Sequence, residues 1–240
     1  MALITYLIIP LIILLVFLIV FKFVFKIFKY FMIAFILLII VIGVSGYFIY
    51  RDAVSLANNF PTQNKLILIN IDKIESGFII STDEPIFLTQ DKVNIYNQFY
   101  QNGNYKSILE NNYKLIILKI DKIEFTDQVL DYQGFMLDKV LVLETIKSDD
   151  PKTYLYNLKF SDRYTKQDFD KQINVENIEL KSAFGLLLFM QEYKKNGVFF
   201  IVKEFKKGNI IVYPETAVFK LIKILPNGFI NDVLNKLNNP

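Results

Sequence analysis

The sequence has 240 residues, a formal net charge of +3 and a hydrophobic fraction of 53%. It contains no Cys, His or Trp, which excludes disulfides, thiolate and imidazole metal ligands, and the Ser–His–Asp and Cys–His catalytic groups. Arginine occurs only at Arg51 and Arg163, so the bidentate fork that grips phosphates and carboxylates is nearly absent.

Two apolar runs, 2–21 and 31–50, open the chain and flank a basic stretch at 22–30. At about 1.5 Å per helical residue, each run is long enough to cross a hydrocarbon layer of about 30 Å. The pattern predicts a two-helix transmembrane hairpin with its turn at 22–30. A cleaved signal peptide is the alternative, but the first run has no basic start and no A-x-A-like site after it.

The only charged side chains among the first fifty residues are Lys22, Lys26 and Lys29. Their spacing places them on one face of a helix, where we expect them at the membrane interface with the lipid bilayer as partner. An ordinary basic loop would give the same topology. By the positive-inside rule this connection is cytoplasmic, which predicts a multi-pass cell-membrane protein with both termini extracytoplasmic.

Residues after 50 carry 24 basic and 24 acidic groups, so this part has no net charge. A nucleic-acid-binding domain needs its own positive surface, and we therefore expect no nucleic acid as partner. We predict a juxtamembrane linker at 51–64, followed by a single α+β domain at 65–240 that is extracytoplasmic.

Within this domain, strands and helices alternate without a regular βαβ repeat, which is typical of the α+β class. The predicted strands lie at 66–71, 77–80 and 114–125. The predicted helices lie at 90–100, 105–110, 136–147, 166–173, 177–193 and 215–225. A β-hairpin is predicted at 199–213, where Lys206-Lys207-Gly208-Asn209 would form the turn, and a final turn at 228–237.

Two apolar segments of the domain leave an alternative open. The eight residues 183–190 are too few for a third span and predict a buried core helix, with a re-entrant membrane segment as the alternative. The helix at 215–225 is apolar almost all round, which predicts burial in the core, with the membrane surface as the alternative.

One aromatic cluster is a candidate contact surface for a partner: Tyr96, Phe99, Tyr100 and Tyr105. Tyrosine and phenylalanine are common anchors of protein interfaces. The alternative is that these side chains pack inward against the core.

The side chains that remain available for catalysis or metal binding are carboxylates, lysines and hydroxyls. Asp149-Asp150 is the sharpest acidic pair, with Asp83-Glu84 and Asp168-x-Asp170 weaker, and each is typical of a solvated loop or helix start. The pairs Lys106-Ser107 and Lys181-Ser182 do not predict a Ser–Lys dyad, because adjacent residues on a helix do not face each other. We therefore assign no catalytic, cofactor-binding or metal residue, and expect no cofactor.

The segment 208–216, Gly-Asn-Ile-Ile-Val-Tyr-Pro-Glu-Thr, with 219–223 after it, resembles the C-terminal part of certain uncharacterised membrane proteins of small-genome archaea. The Phe60-Pro61 junction and Gly77-Phe78 are similar too. This resemblance implies an archaeal cell envelope and no established activity.

The functional hypothesis is a membrane-anchored, non-enzymatic envelope protein whose domain binds or scaffolds another component, with a membrane or envelope protein as partner. One alternative is an accessory subunit of a larger membrane complex. A second alternative is a hydrolase that acts on lipid or wall polymer through Asp and Glu side chains.

Overall fold

The computed structural model describes residues 2–81 and 84–226. The chain divides into two compact units, Met1–Arg51 and Asp52–Pro240. The final turn predicted at 228–237 lies outside the described residues.

A single continuous helix, α1 (Ala2–Asn59), contains both apolar runs. The described part of this helix includes one candidate membrane span, Leu15–Leu56, by length and apolar composition. The structure does not show the hairpin turn predicted at 22–30, and Lys22, Lys26 and Lys29 are exposed helical residues. The physical reason is local: this stretch contains no Gly or Pro, and lysine is a good helix former, so nothing interrupts the backbone hydrogen bonds.

The segment 51–64, predicted as a linker, is helical as far as Asn59. The side chains of Leu56 and Phe60 are 8% and 5% exposed and belong to the main hydrophobic cluster of the domain. Pro61 then follows, and proline disfavours helix in the residue before it. The last two turns of α1 are therefore built into the domain.

The domain is α+β. Its described strands are β1 (Lys65–Asn70), β2 (Ile74–Ile80), β3 (Ile86–Phe87), β4 (Lys114–Lys119), β5 (Val129–Tyr132), β6 (Phe135–Asp138) and β7 (Ile210–Tyr213). Five of them form a mixed sheet of order β3-β2-β1-β4-β7. β1 pairs parallel with β4, and the other neighbours in this sheet pair antiparallel. A separate antiparallel ribbon is formed by β5 and β6.

Helices cover both faces of this sheet. The helices are α2 (Gln90–Gln101), α3 (Tyr105–Leu109), α4 (Lys139–Lys147), α5 (Pro151–Leu155), α6 (Lys166–Gln172), α7 (Asn177–Asn196), α8 (Val198–Lys207) and α9 (Ala217–Ile224), with a π-helical segment at Tyr156–Phe160. On β1, Leu66 and Leu68 point into one cluster with α2 and α3, whereas Ile67 and Ile69 point into the larger cluster with α4 to α9. The domain thus has three layers, and β1 is a buried central strand.

The predicted hairpin at 199–213 is wrong in its first half, because 199–207 belongs to helix α8. Phe200, Ile201, Glu204 and Phe205 are the buried residues, which is a helical spacing rather than a strand alternation. Gly208, at φ 79°, ends the helix in the left-handed conformation. The second half, β7, pairs with β4 instead of folding back on its neighbour.

Other differences concern boundaries. The strand predicted at 114–125 ends at Lys119, and the helix predicted from Met136 begins at Lys139 because residues 135–138 pair as β6. The core helix predicted at 177–193 is confirmed as α7, with Phe184, Leu188 and Phe189 buried.

Candidate functional site

One face of α7 is only partly covered by the rest of the domain. Ala183, Leu186, Leu187 and Met190 are all half-buried there, although the helix buries Leu180, Phe184 and Leu188 on its other side. An apolar stripe of about 100° is enough to attach a helix to a core. The run 183–190 has more apolar side chains than such a stripe needs, and the surplus forms an open apolar surface.

This surface is the floor of a groove of about 400 Å³, named here the α7 groove. Val175 extends the floor, Phe87 of the edge strand β3 forms one wall, and Tyr132 with Gln133 of the β5–β6 ribbon forms the other. The volume lies within the range of about 300–1,000 Å³ usual for ligand pockets, which are also mostly apolar.

The two walls of the groove are positioned by different contacts. The Tyr132 ring packs edge-on against Phe184 at 5.0 Å between centroids, and burial raises the pKa of its hydroxyl, with the charge of Glu179 adding to the effect. Phe87 is held by pairing of β3 with β2, and Ile86 beside it is 60% exposed. β3 is the edge of the sheet, so its outer backbone groups have no strand partner among the described residues.

A second apolar cavity, of about 250 Å³, adjoins the groove at Met190. It is named here the Phe60 pocket, and Phe60, Ile80 and Tyr193 line it. Lys65 contributes its alkyl stem, while its Nζ donates to the Phe60 carbonyl at 2.6 Å. Burial lowers the pKa of Lys65. Together the groove and the pocket form a continuous apolar surface along α7, with few polar side chains that could take part in a reaction.

The polar side chains of the domain gather elsewhere, in a cleft of about 200 Å³. Glu75 and Lys181 form a 2.6 Å ion pair there, with side chains 10% and 9% exposed. Asn97 donates to the Ile74 carbonyl at 2.8 Å and accepts from the Ile74 N–H at 2.7 Å. The ion pair and these two hydrogen bonds thus engage the polar atoms of Glu75, Lys181 and Asn97 within the domain. Asp149, which also lines this polar cleft, is exposed.

The aromatic cluster predicted as a contact surface is wrong for Tyr96, whose side chain is 1% exposed. It lies in the smaller core cluster between α2 and the sheet, and burial raises its pKa well above the ordinary value. Phe99, Tyr100 and Tyr105 are half-buried and pack against the same cluster. The register of α2 accounts for this: Val93 and Tyr96 are three residues apart and share its inner face.

Three residues of the predicted acidic pairs have structural roles, namely Asp150, Asp168 and Asp170, whereas Asp83 lies outside the described residues. Asp150 caps α5 by accepting from the Thr153 N–H at 3.3 Å. Hydrogen bonding from the Thr153 side chain, together with this backbone bond, lowers the pKa of Asp150. Asp168 accepts from the hydroxyl of Thr165 at 2.7 Å, and Asp170 pairs with Lys166 at 3.2 Å. No group of three or more acidic side chains suited to a metal ion occurs among the described residues.

The Lys181-Ser182 pair does not form a nucleophile. The Lys181 ammonium is paired with Glu75, and the buried Ser182 hydroxyl donates to the Gly77 carbonyl at 3.1 Å. The two side chains thus hold α7 to β2 through different partners.

The α7 groove was missed in the sequence because a single apolar run does not tell which face a neighbour will leave open. The signal that could have revealed the groove is that 183–190 has more apolar residues than one helical stripe needs. No protein-family model, curated protein or solved structure matches this chain, and the archaeal resemblance stays a prediction.

Proposed function

We propose that this chain is a membrane-anchored, non-enzymatic binding protein whose domain holds an apolar segment of another envelope protein. The observation that carries the proposal is the α7 groove, with the Phe60 pocket beside it. Apolar floors with polar rims are typical of protein contact sites. The edge strand β3, which bears the groove residue Phe87, leaves its outer backbone groups without a strand partner among the described residues, and this suits an extended partner segment.

The anchor in this proposal is a two-span hairpin in the bilayer. A straight helix of 58 residues is about 87 Å long, nearly three times the hydrocarbon thickness of about 30 Å. This proposal requires α1, which is continuous in the structure, to open at 22–30 in the bilayer, so that both apolar runs lie in lipid and the three lysines lie at one interface. The domain and both termini then lie outside the cell.

Cysteine accessibility tests this topology, because the chain has no native cysteine. Single replacements Ala2→Cys, Lys26→Cys and Ser148→Cys are labelled in intact cells with an impermeant maleimide, and again after permeabilisation. The hairpin predicts labelling at 2 and 148 in intact cells and at 26 only after permeabilisation. Protection of both position 2 and position 26 in intact cells would contradict the hairpin, since a single span at 31–50 would place both positions on the cytoplasmic side.

Site-specific crosslinking tests the binding role. A photoreactive phenylalanine analogue replaces Leu187 on the groove floor, with Ile95 on α2, which is 45% exposed, as the control position. In membranes of the source cell, one discrete crosslinked product is expected from position 187 and none from 95. Adding Leu186→Glu should abolish the product, because it buries a charge in the contact. Equal products from both positions would contradict the proposal.

Native sizing after mild detergent extraction separates this proposal from an accessory subunit attached through α1. A groove-dependent complex is lost in the Leu186→Glu variant, whereas a complex held by the membrane helix keeps its mass. Retention of a high-mass assembly in that variant favours the accessory subunit.

A hydrolase is the remaining alternative, and the polar cleft is where it would act. Glu75 is already paired with Lys181, which leaves Asp149 as the cleft carboxylate without an ion pair among the described residues. Purified protein assayed on extracted lipids and wall polymer is expected to give no turnover. Turnover that Asp149→Asn removes would refute the non-enzymatic proposal.

A further inference from the structure

The point where the chain leaves the bilayer is fixed by contacts within the domain. Asp52 follows the apolar run 31–50 by two residues, and its Oδ2 accepts from the Val218 N–H at 2.7 Å. This hydrogen bond joins Asp52 to the first turn of α9, where the helix dipole favours a negative charge and the N-cap Thr216 makes no side-chain capping hydrogen bond.

The same end of the domain includes the amino ends of β1 and β4. Lys114, the first residue of β4, donates from Nζ to the Pro214 carbonyl at 2.9 Å and is 1% exposed. Burial lowers the pKa of Lys114, and the charge of Asp52 opposes that shift. Leu56 and Phe60, which follow Asp52 in the chain, are packed in the core of the same domain.

α9 presents both an apolar and a basic group to solvent at this end. Ile224 is 79% exposed, and Lys220 is exposed without an ion pair among the described residues. Lys223 is exposed and pairs with Glu215. Ile224 lies six residues after Val218, which is about 9 Å along a helix axis, whatever the direction of that axis. The end of the helix therefore stays close to the exit point of the chain.

We infer that α9 lies on the bilayer surface, with Ile224 in the interfacial layer and Lys220 against anionic lipid headgroups. Helices in a membrane interface bury apolar side chains at the boundary of headgroups and acyl chains and present lysines to the headgroups, and Ile224 with Lys220 can make these two kinds of contact. Anionic headgroups attract basic residues near the surface. This inference rests on the membrane anchoring proposed above and does not depend on the α7 groove.

Fluorescence quenching in vesicles tests the inference. The full chain with Ile224→Cys carries an environment-sensitive fluorophore and is reconstituted in phosphatidylcholine–phosphatidylglycerol vesicles that contain a lipid spin-labelled near the headgroup. The control is Ile95→Cys on α2, also apolar and exposed. Asn97, two residues after Ile95, is hydrogen-bonded to Ile74, which pairs with Asn70 at the carboxyl end of β1. That end lies about 17 Å from the amino end of the strand.

Several-fold stronger quenching and a blue-shifted emission are expected at 224 relative to 95. Lys220→Glu should reduce the quenching at 224 in these vesicles and leave it unchanged in pure phosphatidylcholine. Equal quenching at the two positions, with the protein still resistant to alkaline extraction, would overturn the inference and leave the anchoring intact. Release of the chain by alkali would overturn both, and an unchanged signal in Lys220→Glu would overturn the headgroup contact.

Discussion

Close packing between α7 and β1 fixes the helix that bears the groove, and Gly185 is the residue that permits it. A Cβ added at this position would lie 2.6 Å from both Cγ1 and Cδ1 of Ile69. Real Cβ atoms essentially never approach a neighbour so closely, so the Ile69 side chain, the strand or the helix has to move.

The free-energy change of Gly185→Ala combines two opposing effects. Alanine in a helix interior is favoured over glycine by about 1 kcal/mol. Overpacking of a tight core costs about 1–3 kcal/mol. We therefore expect a net loss of stability between near zero and about 2 kcal/mol in the wild-type background.

The sign should reverse when the obstructing atoms are removed. In an Ile69→Ala background, the atom of residue 69 nearest to the new methyl group is Cβ at 3.8 Å, an ordinary contact. Gly185→Ala should then stabilise by about 1 kcal/mol, through helix propensity alone. Ile67→Ala is the matched control, because Ile67 is equally buried on the same face of the strand. None of the three atoms nearest to the new methyl group belongs to Ile67.

The assay is thermal unfolding of the full chain in detergent, followed by circular dichroism. For a domain of this size, about 1 kcal/mol corresponds to a shift in Tm of about 2–4 °C. Gly185→Ala should lower Tm in the wild-type and Ile67→Ala backgrounds and raise it in Ile69→Ala. A change of the same sign and size in all three backgrounds would refute the reasoning.

Three further predictions use the same unfolding assay. Glu75→Leu should cost about 3–5 kcal/mol of stability because it leaves the Lys181 ammonium buried and unpaired. Adding Lys181→Met should recover most of this loss, and an equal loss in the double variant would contradict the role of the pair. Burial and the charge of Glu110 raise the pKa of Tyr96 above its ordinary value near 10, so the folded state keeps a proton that the unfolded state loses. Stability should therefore fall as pH rises above about 10, and Tyr96→Phe should flatten this decline between pH 9 and 11, whereas an unchanged slope would count against it. Gly208→Ala should cost about 1–2 kcal/mol, because φ 79° is unfavourable for a residue with a Cβ; a neutral effect would show that the backbone relaxes there.

Local patterns were enough for several elements of the domain. The apolar strand at 66–71 and the helix at 90–100 were predicted within about one residue of the observed β1 and α2. Their periodicity and capping residues lie within the segment itself, so no distant contact was needed to place them. The segment 199–207 has both aromatic residues and a helical spacing, and the aromatic content favoured the wrong choice.

Tertiary structure decided which side chains remain available. Tyr96 looked like a contact residue in the sequence but is covered by the sheet, whereas Leu186 and Leu187 looked like core and remain half-exposed. Exposure depends on which element packs against a face, and that element is distant in the chain. No window of the sequence contains this information.

The sequence by itself determined that an apolar helix opens the chain, that the domain after it has no net charge, and that imidazole and thiol chemistry are excluded. These are properties of composition and of local periodicity, which do not change on folding. Only the tertiary structure decided that Leu56 and Phe60 pack into the core of the domain, that β7 pairs with β4, and that the surplus apolar face of α7 forms a groove. Each of these depends on contacts between residues far apart in the chain, whose free energy is set by packing.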